Sequence, residues 1–306
     1  MRRLTGLIVL IFCVQSFSYA QLSTADFIVN STIKLETHKI RTENGKSSDY
    51  TVSGTGFFFE FSYEGSSVPV IVTNAHVIDS LNSIVFYFKQ KSNDGKPLYN
   101  SIERVHLEKE DLKWIRHPDP KVDLAVLPLT PMVRQFQAKH NKQLFFAAYE
   151  EKHIPNDSVT NSLSAIEEIL MVGYPHGIRD IYNDLPVVRR GITATPFNFD
   201  YNSKKEFLCD LSVSPGSSGS PVLVFNPSSF TDKYGNLYMK SRFLFLGISH
   251  LAFISPYEAT VSTEGDTPGK VIPNPSRITT SIPFNIAVAI KSTKLLDFKP
   301  LLKPEK

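Results

Sequence analysis

Pro215-Gly216-Ser217-Ser218-Gly219-Ser220-Pro221-Val222-Leu223-Val224 joins a glycine-flanked serine to an apolar strand. A serine that takes part in acyl transfer needs an exposed hydroxyl and two backbone N–H groups aimed at the developing oxyanion. Gly216, two residues before Ser218, lets the chain turn without a Cβ penalty, so the N–H groups of Gly216 and Ser218 can converge. Gly219 permits a close approach behind the serine, and Pro221 opens the β-run Val222-Leu223-Val224. Taken alone, Gly-Ser-Ser-Gly-Ser is also the composition of a flexible loop.

Such a serine requires a base. Histidine suits the task because its imidazole titrates near neutrality and can accept and return a proton. Of the eight histidines, His76 has a distinctive context, Val70-Ile71-Val72-Thr73-Asn74-Ala75-His76-Val77-Ile78, in which a β-run delivers it to a strand end. Asp123 opens a second apolar run, Asp123-Leu124-Ala125-Val126-Leu127. A carboxylate at the edge of such a strand is costly unless paired, which suits a residue that holds a histidine tautomer. The bland alternatives are a surface or core histidine and an exposed turn aspartate.

Outward from these segments the pattern is mostly β. Short runs rich in Val, Ile, Phe, Tyr and Thr lie at 32–37, 56–61, 68–73, 83–88, 124–129, 170–173, 221–225, 243–248 and 286–290, separated by Gly, Asn, Asp and Pro. Glu64-Gly65-Ser66-Ser67 and Asn93-Asp94-Gly95 read as hairpin turns. This spacing predicts an all-β sandwich or barrels. Helical signals are few: Thr130 as an N-cap before Pro131, opening Met132–His140; a turn or two over Ser162–Leu170; and Ser292 capping a short C-terminal helix through Phe298. The polar stretch 131–165 reads as a connection between an N-terminal half, 21–130, and a C-terminal half, 166–306.

The 306 residues suffice for a well-buried core, and 42% hydrophobic with 21% charged residues exclude global disorder. Residues 1–20 read as a signal peptide: Arg2 and Arg3, the apolar run Leu7–Val14, then Ser18-Tyr19-Ala20 as a cleavage site before Gln21. Export to the periplasm or the extracellular space is the expectation, with no membrane attachment after cleavage. Cleavage leaves Cys209 alone, so no intramolecular disulfide is expected, and its apolar neighbours predict a buried structural thiol. Without Arg2 and Arg3 the net charge of +3 falls to about +1, too small to imply nucleic acid as a partner. No metal-ligand spacing appears, and no cofactor is expected.

Together the three segments resemble the trypsin-like (chymotrypsin-fold) serine peptidases, in the family's order of His, Asp, Ser and at similar separations. Thr73-Asn74-Ala75-His76 is similar to the family's histidine motif, Trp114–Pro118 followed by Asp123-Leu124-Ala125 to its aspartate segment, and Gly216–Pro221 to its serine motif. Ser53–Phe57, Gly173-Tyr174-Pro175, Gly191-Ile192-Thr193 and Gly247-Ile248 fit further strands of that fold. The likeness is to bacterial single-chain members, including the protease domain of high-temperature-requirement proteases and the glutamyl endopeptidases. Ser217 stands where zymogen-activated relatives carry an aspartate.

The resemblance implies two six-stranded antiparallel β-barrels with the active site between them and a short C-terminal helix. It implies a His76–Asp123–Ser218 triad, an oxyanion hole from the N–H groups of Gly216 and Ser218, and a polypeptide substrate. Its pocket candidates are Ser212 and Val213 before the serine and Ser249 and His250 on the facing strand. No aspartate stands at the pocket base, which argues against a Lys or Arg preference. In glutamyl endopeptidases a histidine directly follows Gly-Ile; here Ser249 intervenes, and a one-residue shift on a strand reverses the face. Two other functions remain compatible with these residues: a catalytically silent binding module on the same fold, and an esterase without proteolysis.

Overall fold

The computed structural model describes residues 22–43, 46–260, 277–302 and 304. The expected signal peptide lies outside the described residues. The described residues begin with a helix that carries no signal in the sequence analysis, α1 (Thr24–Val29), capped by the Ser23 hydroxyl, which accepts from the Asp26 N–H at 3.1 Å.

The first half forms strands β1 (Thr32–Glu43), β2 (Lys46–Tyr63), β3 (Ser66–Thr73), β4 (Leu81–Lys91), β5 (Pro97–Glu108), β6 (Ile115–Arg116) and β7 (Ala125–Pro128). They make one sheet in the order β5-β4-β1-β2-β3-β7-β6. Both expected hairpin turns are present, with Gly65 and Gly95 at positive φ between β2 and β3 and between β4 and β5. The β5 strand alternates only near its end, where Val105 and Leu107 turn to the core; the rest is held by backbone pairing with β4 at the sheet edge, and half of its residues are exposed.

The 131–165 stretch is more than a tether. It contains α2 (Thr130–His140), β8 (Leu144–Phe145), β9 (Tyr149–Glu150) and α3 (Asp157–Ser162). β8 pairs with β4, and β9 pairs in parallel with β2, so the first half is a nine-stranded sheet in place of the expected six-stranded antiparallel barrel. Two further expectations shift here. Leu129 occupies the N-cap of α2 and Thr130 lies inside the helix. In place of the helix expected over 162–170, a helix started by the Asn156 cap, whose side chain accepts from the Val159 N–H at 2.9 Å, ends at Ser162, and 168–170 already belong to the strand Glu168–Gly173.

The second half comprises β10 (Glu168–Gly173), β11 (Val187–Thr193), β12 (Glu206–Asp210), β13 (Pro221–Asn226), a small ribbon of β14 (Phe230–Thr231) and β15 (Leu237–Tyr238), β16 (Arg242–Thr260) and β17 (Arg277–Lys291). Six of these close into the expected barrel, β10-β11-β12-β17-β16-β13. The 256–280 segment continues the β16–β17 hairpin as far as Thr260 and Arg277. The last turn is a 3₁₀ helix, Ser292–Leu301, in which Ser292 is buried and does not cap. Cys209 is fully buried, and desolvation pushes its thiol up, away from reactivity.

A shared core joins the halves. Phe57, Phe59, Val70, Val72 and Leu124 of the first pack with Val172, Leu223, Phe245, Ile248 and Phe298 of the second. The Tyr149 ring stacks on Phe245 at 5.2 Å with 12° between planes, and Phe57 meets Phe245 edge-on at 5.2 Å. The fully buried Tyr149 phenol is satisfied by the Ser31 hydroxyl, which donates to it at 2.5 Å. Because Phe245 sits in this shared layer, Phe245→Ala should lower the free energy of unfolding by about 3–5 kcal/mol. Urea denaturation followed by tryptophan fluorescence tests this, and a loss under about 1 kcal/mol would contradict the assigned packing.

Candidate active site

His76 and Asp123 meet because of one strand register. β3 and β7 pair with Thr73 opposite Ala125, so the residues just beyond them, His76 in the 3₁₀ turn Ala75–Ile78 and Asp123, emerge at the same sheet end. Asn74, fully buried, ties the two segments by donating from Nδ2 to the Asp123 carbonyl at 2.9 Å. The Asp123 carboxylate then receives two bonds from one residue: the His76 backbone N–H at 2.9 Å on Oδ1 and the imidazole Nδ1 at 2.6 Å on Oδ2. A proton on Nδ1 leaves Nε2 as the acceptor nitrogen.

Burial works against the charge on Asp123, and the imidazoles of His250 and His76 more than offset it, holding the carboxyl well below the usual carboxylate range. Asp123 is therefore an anion across the neutral range. The stability this contributes is present above the ordinary carboxylate range and is lost only as the pH falls through the depressed folded value.

The Ser218 loop is shaped from behind. Thr55, fully buried on β2, donates from its N–H to the Ser218 carbonyl at 3.0 Å and from Oγ1 to the Gly216 carbonyl at 2.8 Å. The same Oγ1 accepts the Tyr174 N–H at 3.0 Å, and the Thr55 carbonyl accepts the Thr73 hydroxyl at 2.8 Å. The Ser218 loop and the strand that ends beside His76 are thus anchored on one residue. In the sequence Thr55 is only part of Ser53–Phe57, which fits a strand of the fold, and a threonine in a β-run carries no signal of such a role.

The Pro215 carbonyl accepts the His176 N–H at 2.6 Å. In a trans peptide the carbonyl and the following N–H point in opposite directions, so this bond turns the Gly216 N–H away from the 174–176 turn. Among the described residues, neither the Gly216 nor the Ser218 N–H donates to a backbone acceptor. Gly216 has φ +92°, and a Cβ there would lie 2.5 Å from the Tyr174 carbonyl oxygen. Gly219 has φ +85°, and a Cβ there would lie 2.0 Å from the Thr55 carbonyl oxygen.

A cavity of about 500 Å³ opens beside the serine, lined by Ser218, Val213, Ser249, His250, Leu251 and His176 among others. Three of the four pocket candidates therefore line it. Ser212 does not: in the loop that follows β12 it is exposed while Val213 is buried, and its carbonyl accepts from Arg189. His176, with φ +50°, was not anticipated at the cavity.

The description "Trypsin-like peptidase domain" fits residues 54–226, more than half of the chain. The chain belongs to this family. No curated protein matches it. Among solved structures it is similar to the Rv3671c protease of M. tuberculosis H37Rv in its inactive form, at 12% identity over 90% of this chain and 91% of that chain, with a TM-score of 0.41. It is similar to HL collagenase at 14% identity over 90% and 96% of the two chains, with a TM-score of 0.42. It is also similar to the scabies mite inactivated protease paralogue S-I1 at 13% identity over 89% and 94%, with a TM-score of 0.35.

In this trypsin-like peptidase the loop at 215–219 depends on the absence of a side chain where β2 passes closest. Gly219→Ala should cost roughly 1–3 kcal/mol from its backbone angle alone, and more from the forced movement of Thr55. A urea midpoint equal to that of the unaltered chain would show that the loop yields freely and would contradict this packing.

Proposed function

We propose that the chain is a serine endopeptidase acting by acyl transfer. One observation carries the reading: Asp123 holds His76 by both its backbone N–H and its Nδ1, which orients the ring and leaves Nε2 as the base. In this reading His76 takes the proton of Ser218 as the serine oxygen attacks the substrate carbonyl. Asp123 stabilises the imidazolium that results, and the unclaimed N–H groups of Gly216 and Ser218 receive the oxyanion. The imidazolium then protonates the departing amine, and water, activated by the same ring, hydrolyses the acyl-enzyme. The substrate is a polypeptide, as membership of a peptidase family supports.

The charged, apolar and small-residue sequence of positions 1–20 supports export, with the mature protein periplasmic or extracellular. Among the described residues no helix is long and apolar enough to cross a membrane.

A fluorophosphonate probe tests the nucleophile. It should label the unaltered protein and fail to label Ser218→Ala, while Asp123→Asn should fold yet turn over casein on the order of 10⁴-fold more slowly. Absence of labelling would favour a silent binding module, and labelling with p-nitrophenyl ester hydrolysis but no casein cleavage would favour an esterase.

The cavity wall also bears on specificity. Val213, Leu251 and Ala252 give it an apolar side, and Ser249 is small, so a small or medium apolar residue should precede the scissile bond. A peptide-library profile dominated by Glu, Lys or Arg at that position would overturn this assignment.

A further inference from the structure

The sequence reading placed His250 in the substrate pocket, but the ring also faces away from the cavity toward two carboxylates. β16 pairs Ser249 with Ala289 and then Leu251 with Val288, so His250 is the extra residue of a β-bulge. A bulge breaks strand alternation and re-aims a side chain. Ser249 and His250 are consequently both buried in succession, 3% and 8% exposed, while Leu251 is 56% exposed.

The bulge sets His250 Nδ1 3.8 Å from Asp123 Oδ2, the oxygen that also receives His76 Nδ1 at 2.6 Å. On the other side, His250 Nε2 lies 3.5 Å from Glu206 Oε1, at the start of β12. This Nε2 is buried and makes no hydrogen bond among the described residues. The four side chains therefore run in a line, Glu206, His250, Asp123, His76.

The alternation of charge along that line selects a form of the ring. A neutral imidazole has one donor, so its bare nitrogen would face one of the two carboxylates; only the ring protonated on both nitrogens presents N–H to each. The two carboxylates, with side-chain exposures of 25% and 13%, flank the ring in a partly desolvated setting that favours a cation between them. The neighbouring strand β17 supplies none there, since it packs with Ala287, Val288, Ala289 and Ile290. Its Lys291 is engaged with Asp200 at 2.7 Å, as is Lys205 at 2.9 Å. On its other side Glu206 lines a separate cavity together with Asp119, Lys121, Lys204, Lys205 and Lys294.

We infer that His250 is a positioning residue: a bulge-borne imidazolium that bridges Asp123 and Glu206 and acts on His76 only through the Asp123 carboxylate. This rests on the peptidase reading. It also adds Glu206, unassigned until this point, as the outer anchor of the line.

Removing the cation exposes His76 to the undiluted charge of Asp123, which favours the protonated ring. His250→Gln, which keeps a donor but not the charge, should therefore move the acid limb of the kcat/KM profile toward higher pH by about one unit. Glu206→Gln should move it in the unaltered background but not in the His250→Gln background, because its effect passes through the ring. The NMR titration of His76 in Ser218→Ala protein, with and without Glu206→Gln, reads the same coupling without turnover and without disturbing the bulge. A limb that stays in place in His250→Gln, or a His76 titration indifferent to Glu206, overturns the inference while leaving the peptidase reading intact. A protein that labels with no probe and cleaves no substrate overturns the peptidase reading, whereas the titration still decides whether the line is coupled.

Discussion

The Thr55 side chain is the constraint on which the site depends. Its backbone and hydroxyl make four hydrogen bonds to three different segments, reaching Ser218 and Gly216 in the second half, Tyr174 beside them, and Thr73 in the first. Each partner is a backbone group or a buried hydroxyl with no solvent to replace the bond. The distance between the strand that leads into the histidine turn and the loop bearing the serine is therefore set by a buried threonine in the middle of β2. The shared aromatic core around Phe245 and Tyr149 presses the halves together, but packing alone is tolerant of small slides; directional bonds are what fix the register.

Electrostatics explains why the strand ends carry charge at all. Asp123 is partly buried at the edge of an apolar strand, where an unpaired carboxylate would be expensive. Two imidazoles and a backbone N–H surround it, so the charge is held in place by its neighbours and the neighbours are oriented by the charge. The arrangement supports the role proposed for Asp123, a group that stays ionised while the ring beside it gains and loses a proton.

The parts of this design that were legible in the sequence are those in which one residue type answers to one local need. Val68–Thr73 and Pro221–Phe225 are apolar because they are buried, and they are strands. His76 and Asp123 stood out because a polar residue at the end of such a run asks for a partner, and the β3–β7 register supplies one. What could not be read depends on pairing between distant segments. β5 has half of its residues exposed and is held largely by backbone bonds to β4, so only the short alternation at Val105 and Leu107 marks it. The two-residue strands β8 and β9 are shorter than any periodicity, yet they extend the first sheet to nine strands. Ser212 and Val213 are alike in sequence context, and only the path of the loop after β12 separates the outward one from the inward one.

His250 is the clearest case of that limit. Counting by two along β16 from the buried Ile248 places position 250 on the same inner face, and 249 on the other. Both are buried, because the extra residue lets the strand turn one side chain toward the cavity and its neighbour toward Asp123 without giving up either. A bulge is a statement about a partner strand, and β17 lies some forty residues away, so local sequence carries no trace of it. The same extra residue lets one short stretch, Ser249-His250-Leu251, touch the cavity beside Ser218, the aspartate behind it and the solvent edge in turn. Pocket shape and the charge state of the site are therefore linked through a single backbone irregularity, and neither can be altered there without the other.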